Sequence, residues 1–294
     1  MTSESTHLGL KICKRITRHH AKTFYFASQC LPRKVRSHAY AVYGFCRWAD
    51  DGVDCAQDDH DAARRLLYAR EVLDAAYETG AVPDGLLAFR HTVKTRGIPK
   101  PLFEALLDGM EMDLTVTRYA DFAALDRYCY RVAGVVGLMM THVFGFRNER
   151  CLPRAEALGT AMQLTNILRD IREDHERGRI YLPLDEMKRF GVTETHLAEG
   201  IVDEPFRAFL RFQIDRASAF YEEARAGIHD LNGESSRLTV RVMGRVYGGI
   251  LQEIERLNGE VFQTRAHVPT IRKLTMLGSC QAANWRESAK RFWS

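Results

Sequence analysis

The sequence predicts an all-α protein, and three features of the 294-residue chain support that prediction. Apolar side chains recur at steps of three and four in most segments, which is the spacing of one face of an α-helix. No segment shows the sustained alternation of apolar and polar residues that a half-buried strand requires. Clusters rich in Gly, Pro, Asp and Asn separate the periodic segments, as turns do. Because no repeat and no low-complexity linker divides the chain, one domain over residues 1–294 is expected.

The first half of the chain predicts five helices between short breaks. The first of them begins just after Pro32, and the loops are the clusters AQDDHD, TGAVPDG and GIPKP. In the last of the five, Gly134 and Gly137 interrupt an apolar run. Glycine inside a helix costs about 1 kcal/mol relative to alanine, so close packing or a bound chain is expected there. The predicted helices span about 33–55, 62–78, 86–96, 102–118 and 122–146.

The second half of the chain is also helical, with a basic tail. A turn is expected at 147–153, and short helices and loop are expected at 184–203. The cluster HDLNGESS breaks the chain at 229–236, and the tail carries Arg265, Arg272 and Lys273 around Pro269. Longer helices are predicted at about 154–176, 204–228 and 237–258.

Composition excludes several classes of function. Apolar residues make up 46% of the chain, enough for a sizeable core, yet no uncharged apolar run reaches the ~18 residues of a membrane span. The N-terminal residues lack the apolar core of a signal peptide. The formal net charge is only +4 and no nucleic-acid-binding pattern is present, so no nucleic-acid partner is expected. A cytoplasmic protein is predicted.

The seven cysteines favour the same compartment. Their number is odd, they are scattered, and none forms a CxxC pair. Free thiols in a reducing cytosol are therefore expected, and a disulfide framework or a zinc site is not. The 11 histidines include no HExxH motif, so a histidine metal site is not expected either.

The segment QLTNILRDIREDHERGRIYLP, residues 163–183, carries the first candidate site. Gln163, Asn166, Asp170 and Asp174 follow one another at steps of three and four, which places them on one face of a helix. Two carboxylates and two amides on one stripe can hold hard cations and the phosphates that those cations bind. Taken alone, the stripe is more typical of a solvated, salt-bridged helix face, since charged residues lie mostly on the surface.

A second stripe lies in YGFCRWADDGVD, residues 43–54. Tyr43, Arg47, Asp50 or Asp51, and Asp54 again follow steps of three and four, and Asp50 and Asp54 differ by only about 40° around a helix. Two acidic stripes on separate helices are able to face each other across a cavity, each holding Mg²⁺. Mg²⁺ is typically bound by one or two carboxylates together with substrate phosphates.

The two stripes belong to longer segments that resemble a known family. YAVYGFCRWADDGVD and AMQLTNILRDIREDHERGRIYLP are similar to the two aspartate-rich signatures of the squalene/phytoene synthase family. YCYRVAGVVGLMM, residues 128–140, resembles its middle signature, and residues 245–274 resemble its C-terminal helix and basic segment. The likeness runs from about residue 19 to residue 274. It implies a terpenoid-synthase fold, a single-domain helical bundle around a central cavity.

The resemblance also implies roles for individual residues. One group would hold Mg²⁺, with Mn²⁺ as a substitute: Asp50 and Asp54 at one diphosphate, and Asp170 and Asp174 at the other, the latter supported by Gln163 and Asn166. A second group would contact the diphosphates: Arg47, Arg169, Tyr247 and Arg265, with Tyr43 shaping the first site. Tyr128 matches the family tyrosine tied to proton handling or cation stabilisation. Ala21 stands where some relatives carry serine near the leaving diphosphate. The apolar candidates for the hydrocarbon site are Phe24, Phe26, Val132, Val135, Leu138 and Leu164, with the small Ser28, four residues after Phe24, as the residue that sets chain length.

The implied reaction is head-to-head condensation of two identical allylic polyprenyl diphosphates through a cyclopropylcarbinyl diphosphate. Phytoene from two C20 units is the leading expectation, because two segments and the small Ser28 resemble bacterial phytoene synthases. A C30 enzyme making presqualene diphosphate, dehydrosqualene or squalene is the alternative, and only squalene would require NADPH. Peripheral association with the inner face of the membrane for product release is compatible with either. From another class, a non-catalytic helical assembly factor also fits the fold, although all four motif aspartates are present.

Overall fold

The protein is described by a computed structural model that places the backbone of residues 3–292 and the side chains of residues 8–285. Within that range, helices follow one another along almost the whole chain. They are α1 Ser3–His20, α2 Lys22–Ser28, α3 Arg33–Asp54, α4 Asp59–Tyr77, α5 Leu87–Arg96, α6 Lys100–Thr115, α7 Phe122–Cys129, α8 Val135–Phe144, α9 Cys151–Arg169, α10 Ile171–Glu176, α11 Leu184–Phe190, α12 Glu194–Glu199, α13 Glu204–Arg225, α14 Glu234–Arg256 and α15 Thr270–Phe292. The all-α prediction is confirmed.

Helix α9 lies at the centre of the molecule and packs against α8, α13 and α14. Two clusters of buried apolar side chains make up the core. One is built mainly from α3 to α6 and α8, and the other from α7, α9, α13 and α14. The clusters meet around a cavity, to which both contribute side chains. The helices thus enclose a space as well as a core.

The boundaries of α3 agree with the sequence, whereas those of α9 do not. α3 begins directly after Pro32, whose φ is fixed near the helical value, and it ends at Asp54. The turn predicted up to Pro153 is wrong, because α9 begins at Cys151 and carries that proline in its first turn, where no intrahelical bond is lost. The predicted helix over 154–176 also breaks, at Asp170, whose backbone has φ −107° and ψ 16°.

The helix predicted over 122–146 is divided by a π-helical turn at Tyr130–Gly134. Such turns are frequent at functional sites. The turn lies close to α9, and a Cβ on Gly159 would come within 2.2 Å of the carbonyl oxygen of Ala133. A Cβ on Gly137 would likewise come within 2.2 Å of the carbonyl oxygen of Ala155. Close backbone packing therefore explains the glycine in this run.

A short parallel ladder joins two distant parts of the chain. Strand β1, Arg118–Tyr119, pairs with β2, Ile180–Pro183, in a two-stranded sheet that the sequence did not predict. The amide of Ile180 donates to the carbonyl of Thr117 at 2.9 Å. The ladder brings the segment after α10 alongside the C-terminal end of α6.

The two terminal helices α1 and α15 had no predicted counterpart. α1 packs against α3, and α15 packs against α14, so each is held by tertiary contact. Among the helices of the described chain, none is both long and apolar enough to cross a membrane.

Candidate active site

The cavity has a volume of about 450 Å³, with polar side chains at one end and apolar side chains along its length. The α9 side chains show this gradient most clearly. Near the start of the helix they are apolar apart from Arg154, namely Cys151, Ala155 and Leu158, and near its end they are Gln163 and Asn166. Cys151, Ala155, Leu158, Met162 and Asn166 follow steps of three and four, with Gln163 next to Met162, and the stretch from Cys151 to Asn166 spans about 22 Å at 1.5 Å per residue. One helix face therefore connects a polar mouth to an apolar interior.

The α3 stripe forms the opposite side of the mouth. Tyr43, Arg47 and Asp50 line the cavity, and Asp54 lies one turn further along the helix. Arg47 donates from Nη1 to Asp50 and from Nη2 to Asp51, both at 2.5 Å. Burial, reinforced by the charge of Asp54, raises the pKa of Asp50 to about 6. Negative charge at this site is thus only partly compensated by the protein.

Arg47 also carries a donor without an acceptor. Its Nε is buried and has no hydrogen-bond partner among the residues that the structure describes. Buried N–H groups are nearly always paired in folded proteins. An anionic oxygen at the mouth would satisfy this donor.

The second acidic site forms where α9 ends. Asp170 accepts hydrogen bonds from Arg169 Nε at 2.8 Å and from Arg265 Nε at 2.8 Å. Burial opposes ionisation of Asp170, but the hydrogen bonds from the two arginines outweigh it and lower its pKa. Helical hydrogen bonding continues across the break, because the amide of Asp174 donates to the carbonyl of Asp170 at 2.9 Å.

Asp174 differs from Asp170 in its surroundings. Burial and the neighbouring charge of Asp170 raise the pKa of Asp174 to about 7, while Arg177 and Arg179 act in the opposite direction. Asp54, Asp170 and Asp174 do not line the cavity. Of the two predicted stripes, Tyr43, Arg47 and Asp50 on one side and Gln163 and Asn166 on the other are the members that line the cavity.

A smaller pocket of about 320 Å³ lies beside the second acidic site. Arg169, Arg265, His267 and Lys273 line it, so it is basic. Burial lowers the pKa of Lys273, whose Nζ lies 3.4 Å from the hydroxyl of Thr23. Two of the arginines predicted to contact diphosphate thus lie together, in a pocket separate from the main cavity.

Tyr247 lines the main cavity near the second acidic site. It is largely buried, and the charges of Arg169 and Asp170 both act on its pKa, which burial raises. Tyr128 also lines the cavity and donates its hydroxyl to Asp113 at 3.1 Å. Both predicted tyrosines therefore face the enclosed space.

The apolar candidates divide into two groups. Phe24 and Val132 line the cavity, whereas Phe26, Val135, Leu138 and Leu164 do not. Ser28 is not among the residues that line the cavity: its side chain is fully buried, and its hydroxyl lies 2.8 Å from that of Tyr40. Ala21, by contrast, does line the cavity.

The side chains present fit Mg²⁺ bound in part by substrate. Among residues whose side chains the structure describes, no three His, Cys, Asp or Glu side chains form a group able to hold a metal ion alone. What the structure provides is carboxylates with raised pKa values at each acidic site, next to arginine donors. Mg²⁺ sites that complete their coordination with phosphate oxygens have this composition.

Comparison with known proteins agrees with the geometry. The model of the squalene/phytoene synthase family matches residues 17–272. The chain belongs to the squalene/phytoene synthase family. It is 39% identical to a 15-cis-phytoene synthase of Synechocystis sp., over 93% of this chain and 84% of that protein. It is also 39% identical to a 15-cis-phytoene synthase of Synechococcus elongatus, over 90% of both chains.

Solved structures of the family share the fold. A dehydrosqualene synthase in complex with ligand superposes with a TM-score of 0.88 at 29% identity, over 95% of this chain and 98% of that one. A squalene synthase from Alicyclobacillus acidocaldarius superposes with a TM-score of 0.80 at 27% identity, over 87% and 97%. The protein is therefore an enzyme, a prenyltransferase of this family, and the expectation of a non-catalytic assembly factor is wrong.

Several residues of this prenyltransferase site are not among those predicted from the sequence. Asp113 on α6 lines the cavity together with Leu106 and Met110. The spacing of these three, at steps of four and three on a predicted helix, was a signal available in the sequence. Lys273 of the basic pocket was noted only as part of a basic tail.

Proposed function

We propose that the protein condenses two geranylgeranyl diphosphates head to head, through a cyclopropylcarbinyl diphosphate, to phytoene. The observation that carries this proposal is a cavity that combines a charged mouth with a long apolar interior. Relatives that are 39% identical over most of the chain are named 15-cis-phytoene synthases, which supports the C20 substrate. The reaction belongs to carotenoid biosynthesis.

The polar mouth accounts for diphosphate binding. Asp50 and Asp54 would hold Mg²⁺ at one diphosphate; Asp170 and Asp174, helped by Asn166, would hold it at the other. Bound there, Mg²⁺ acts as a Lewis acid that neutralises the charge of departing pyrophosphate, and Mn²⁺ is expected to substitute. Gln163 adds an amide at the second site.

Arginine side chains complete the recognition of phosphate. The unpaired Nε of Arg47 supplies one donor at the mouth, and the planar guanidinium groups of Arg169 and Arg265 suit bidentate contact. Tyr43 and Tyr247 fill the space between these charged groups. Each diphosphate thus meets both a cation site and direct protein donors.

The apolar interior protects the reactive cation. Phe24 and Val132, together with Val136 and Met140 of α8, line the cavity beyond the mouth. An apolar wall that excludes water prevents capture of a carbocation as an alcohol. Tyr128, buried in this wall, is a polar side chain placed to act on the cation or on a proton that it releases.

The C30 reaction is the second candidate. It is favoured by the fold match to a dehydrosqualene synthase at a TM-score of 0.88. Two farnesyl diphosphates would then give presqualene diphosphate, dehydrosqualene or squalene, and only squalene formation would consume NADPH. The shorter chain requires less of the same cavity.

One experiment separates these candidates. The purified protein is incubated with C15 or C20 diphosphate and Mg²⁺, with and without NADPH, and products are identified by mass spectrometry. Phytoene from the C20 substrate, without NADPH, is the expected result. Preferential C30 product would contradict the proposal. Fractionation of cells would test the proposed location in the cytoplasm and at the inner face of the membrane.

A further inference from the structure

A buried carboxylate lies behind Tyr128 in the cavity wall. Asp113, near the end of α6, lines the cavity and accepts two phenolic hydrogen bonds. Tyr128 donates to its Oδ2 at 3.1 Å, and Tyr181 donates to its Oδ1 at 2.8 Å. Within the described side chains, no hydrogen bond or ion pair connects Asp113 to Asp50 or to the other predicted metal ligands. It interacts with the first acidic site through charge, because Asp113 acts to raise the pKa of Asp50 and Asp54 acts to raise that of Asp113.

Tertiary structure holds this group in place. Tyr181 belongs to β2, which pairs with β1, and Arg179 Nη2 donates to the backbone carbonyl of Asp113 at 3.0 Å. The ring centroids of Tyr128 and Tyr181 lie 5.0 Å apart in a stacked arrangement, and that of Tyr119 lies 5.4 Å from Tyr128. The orientation of the Tyr128 hydroxyl is thus determined by its partner and by its neighbours.

The chemistry of the product requires acceptors for protons. The following inference rests on the proposed function. In a head-to-head product with a central carbon–carbon double bond, each joined carbon begins as CH₂ and ends as CH. Each therefore loses one proton from carbon 1 in the course of the reaction. A neutral phenol is a weak base, so Tyr128 alone is a poor acceptor for such a proton.

We propose that Asp113 is the final acceptor of a carbon-1 proton, reached through the hydroxyl of Tyr128. In the last step the carbon-1 C–H bond breaks, and its electron pair becomes the π bond of the central carbon–carbon double bond. The proton passes to the oxygen of Tyr128, while the original phenolic proton passes to Oδ2 of Asp113. Cation and carboxylate become a neutral hydrocarbon and a carboxylic acid, and no further reactant is needed.

The surroundings of Asp113 suit this role. Burial raises its pKa, and the charge of Asp54 acts in the same direction. Hydrogen bonds from Tyr181 and Tyr128 and the charge of Arg179 oppose that increase, and so favour the carboxylate. The group can therefore be ionised before the reaction and still bind a proton readily when one is released beside it.

The test compares three variants, with C20 diphosphate that carries either hydrogen or deuterium at carbon 1. Asp113→Asn keeps an oxygen for the Tyr128 hydroxyl but cannot accept a proton. Tyr128→Phe removes the connection to the cavity. Tyr119→Phe is the matched control, because its buried hydroxyl has no hydrogen-bond partner in the described part of the chain and its ring belongs to the same cluster.

The expected result has three parts. Asp113→Asn loses about 10²–10⁴-fold in kcat, the scale of general acid–base catalysis, with KM nearly unchanged. Its deuterium isotope effect on kcat rises above the wild-type value, because proton removal becomes slower than ionisation. The double variant with Tyr128→Phe is no slower than the slower single variant, because both act in one transfer. Tyr119→Phe keeps near-wild-type kcat.

Other outcomes would overturn the inference. An unaltered isotope effect in Asp113→Asn would assign Asp113 a purely structural role, as would losses that multiply in the double variant. If circular dichroism shows that Asp113→Asn does not fold, the isotope effect is measured in Tyr128→Phe instead. The same rise is expected there, and an unchanged isotope effect in Tyr128→Phe would count against the inference. A folded wild type inactive with both C15 and C20 diphosphates would instead overturn the proposed function.

Discussion

The two acidic sites of this enzyme look alike in sequence but differ in structure. Asp50 and its arginine lie on one continuous helix, α3, and their ion pair joins residues three apart. Asp170 lies at the break between α9 and α10, and one of its arginines, Arg265, is 95 residues away in the chain. The first site is assembled by local helix geometry, and the second only when the C-terminal segment docks.

Charge compensation differs in the same way. Burial raises the pKa of Asp50 to about 6 and that of Asp174 to about 7, so the arginines near each of them offset the cost of ionisation only in part. Asp170, held by two arginines, has a lowered pKa despite its burial. Each site thus contains a carboxylate suited to a cation, but only the second includes one already neutralised by the protein.

The largest effect is expected from removal of divalent cations, on which both sites should depend. EDTA should abolish product formation, and Mg²⁺ should restore it, because pyrophosphate cannot leave without neutralisation of its charge. Product is measured by mass spectrometry before and after restoration. Full turnover in EDTA would show that neither acidic site depends on a bound divalent cation.

Removal of one charge at either site tests whether both are needed. Asp50→Asn or Asp174→Asn should each lower kcat by at least about 10²-fold, the scale of losing a preorganised electrostatic contact. Asp51→Asn, next to Asp50 but outside the cavity lining, is the matched control and should change kcat far less. Near-normal rates in one of the two site variants would show that this site is a solvated helix face.

Loss of Arg265 should affect the second site alone. Arg265→Ala removes a charge-assisted hydrogen bond to Asp170 from a side chain that is 56% exposed, so a loss of about 10-fold in kcat/KM is expected. Arg256→Ala, which breaks an ion pair with Glu253 at another place on the surface, serves as the control. Equal effects of the two variants would mean that docking of the tail contributes nothing to the site.

The smallest effect concerns the stability of the metal-free protein. Because the pKa of Asp174 is raised to about 7, the folded state binds a proton more tightly than the unfolded state, and stability falls as pH rises from about 4 through 7. Asp174→Asn should therefore raise the Tm at pH 8 by roughly 2–4 °C, with little change near pH 4.

Asp170→Asn should have the opposite sign. Its lowered pKa means that ionised Asp170 stabilises the fold above its unfolded pKa near 3.8, and that this contribution is lost as pH falls below that value. The variant should lower the Tm at pH 8. Thermal melts in EDTA at both pH values measure the pair, and shifts of equal sign would show that the two carboxylates do not differ.

The sequence by itself determined the features that depend on local periodicity. Helical spacing predicted α3 with nearly its observed ends, because Pro32 and the apolar pattern act within a few residues. The same spacing placed Tyr43, Arg47 and Asp50 on one face, and Gln163 and Asn166 on another, and all five line the cavity. Which residues share a helix face is a property of the helix alone.

Only the tertiary structure decided the features that join distant segments. The break at Asp170, its contact with Arg265, and the meeting of Asp113 with Tyr181, 68 residues apart, depend on how helices and the short sheet pack. The burial of Ser28 against Tyr40 is of the same kind. Periodicity predicts which side chains share a helix face. It does not predict which segment packs against that face, because this depends on the packing of the whole chain.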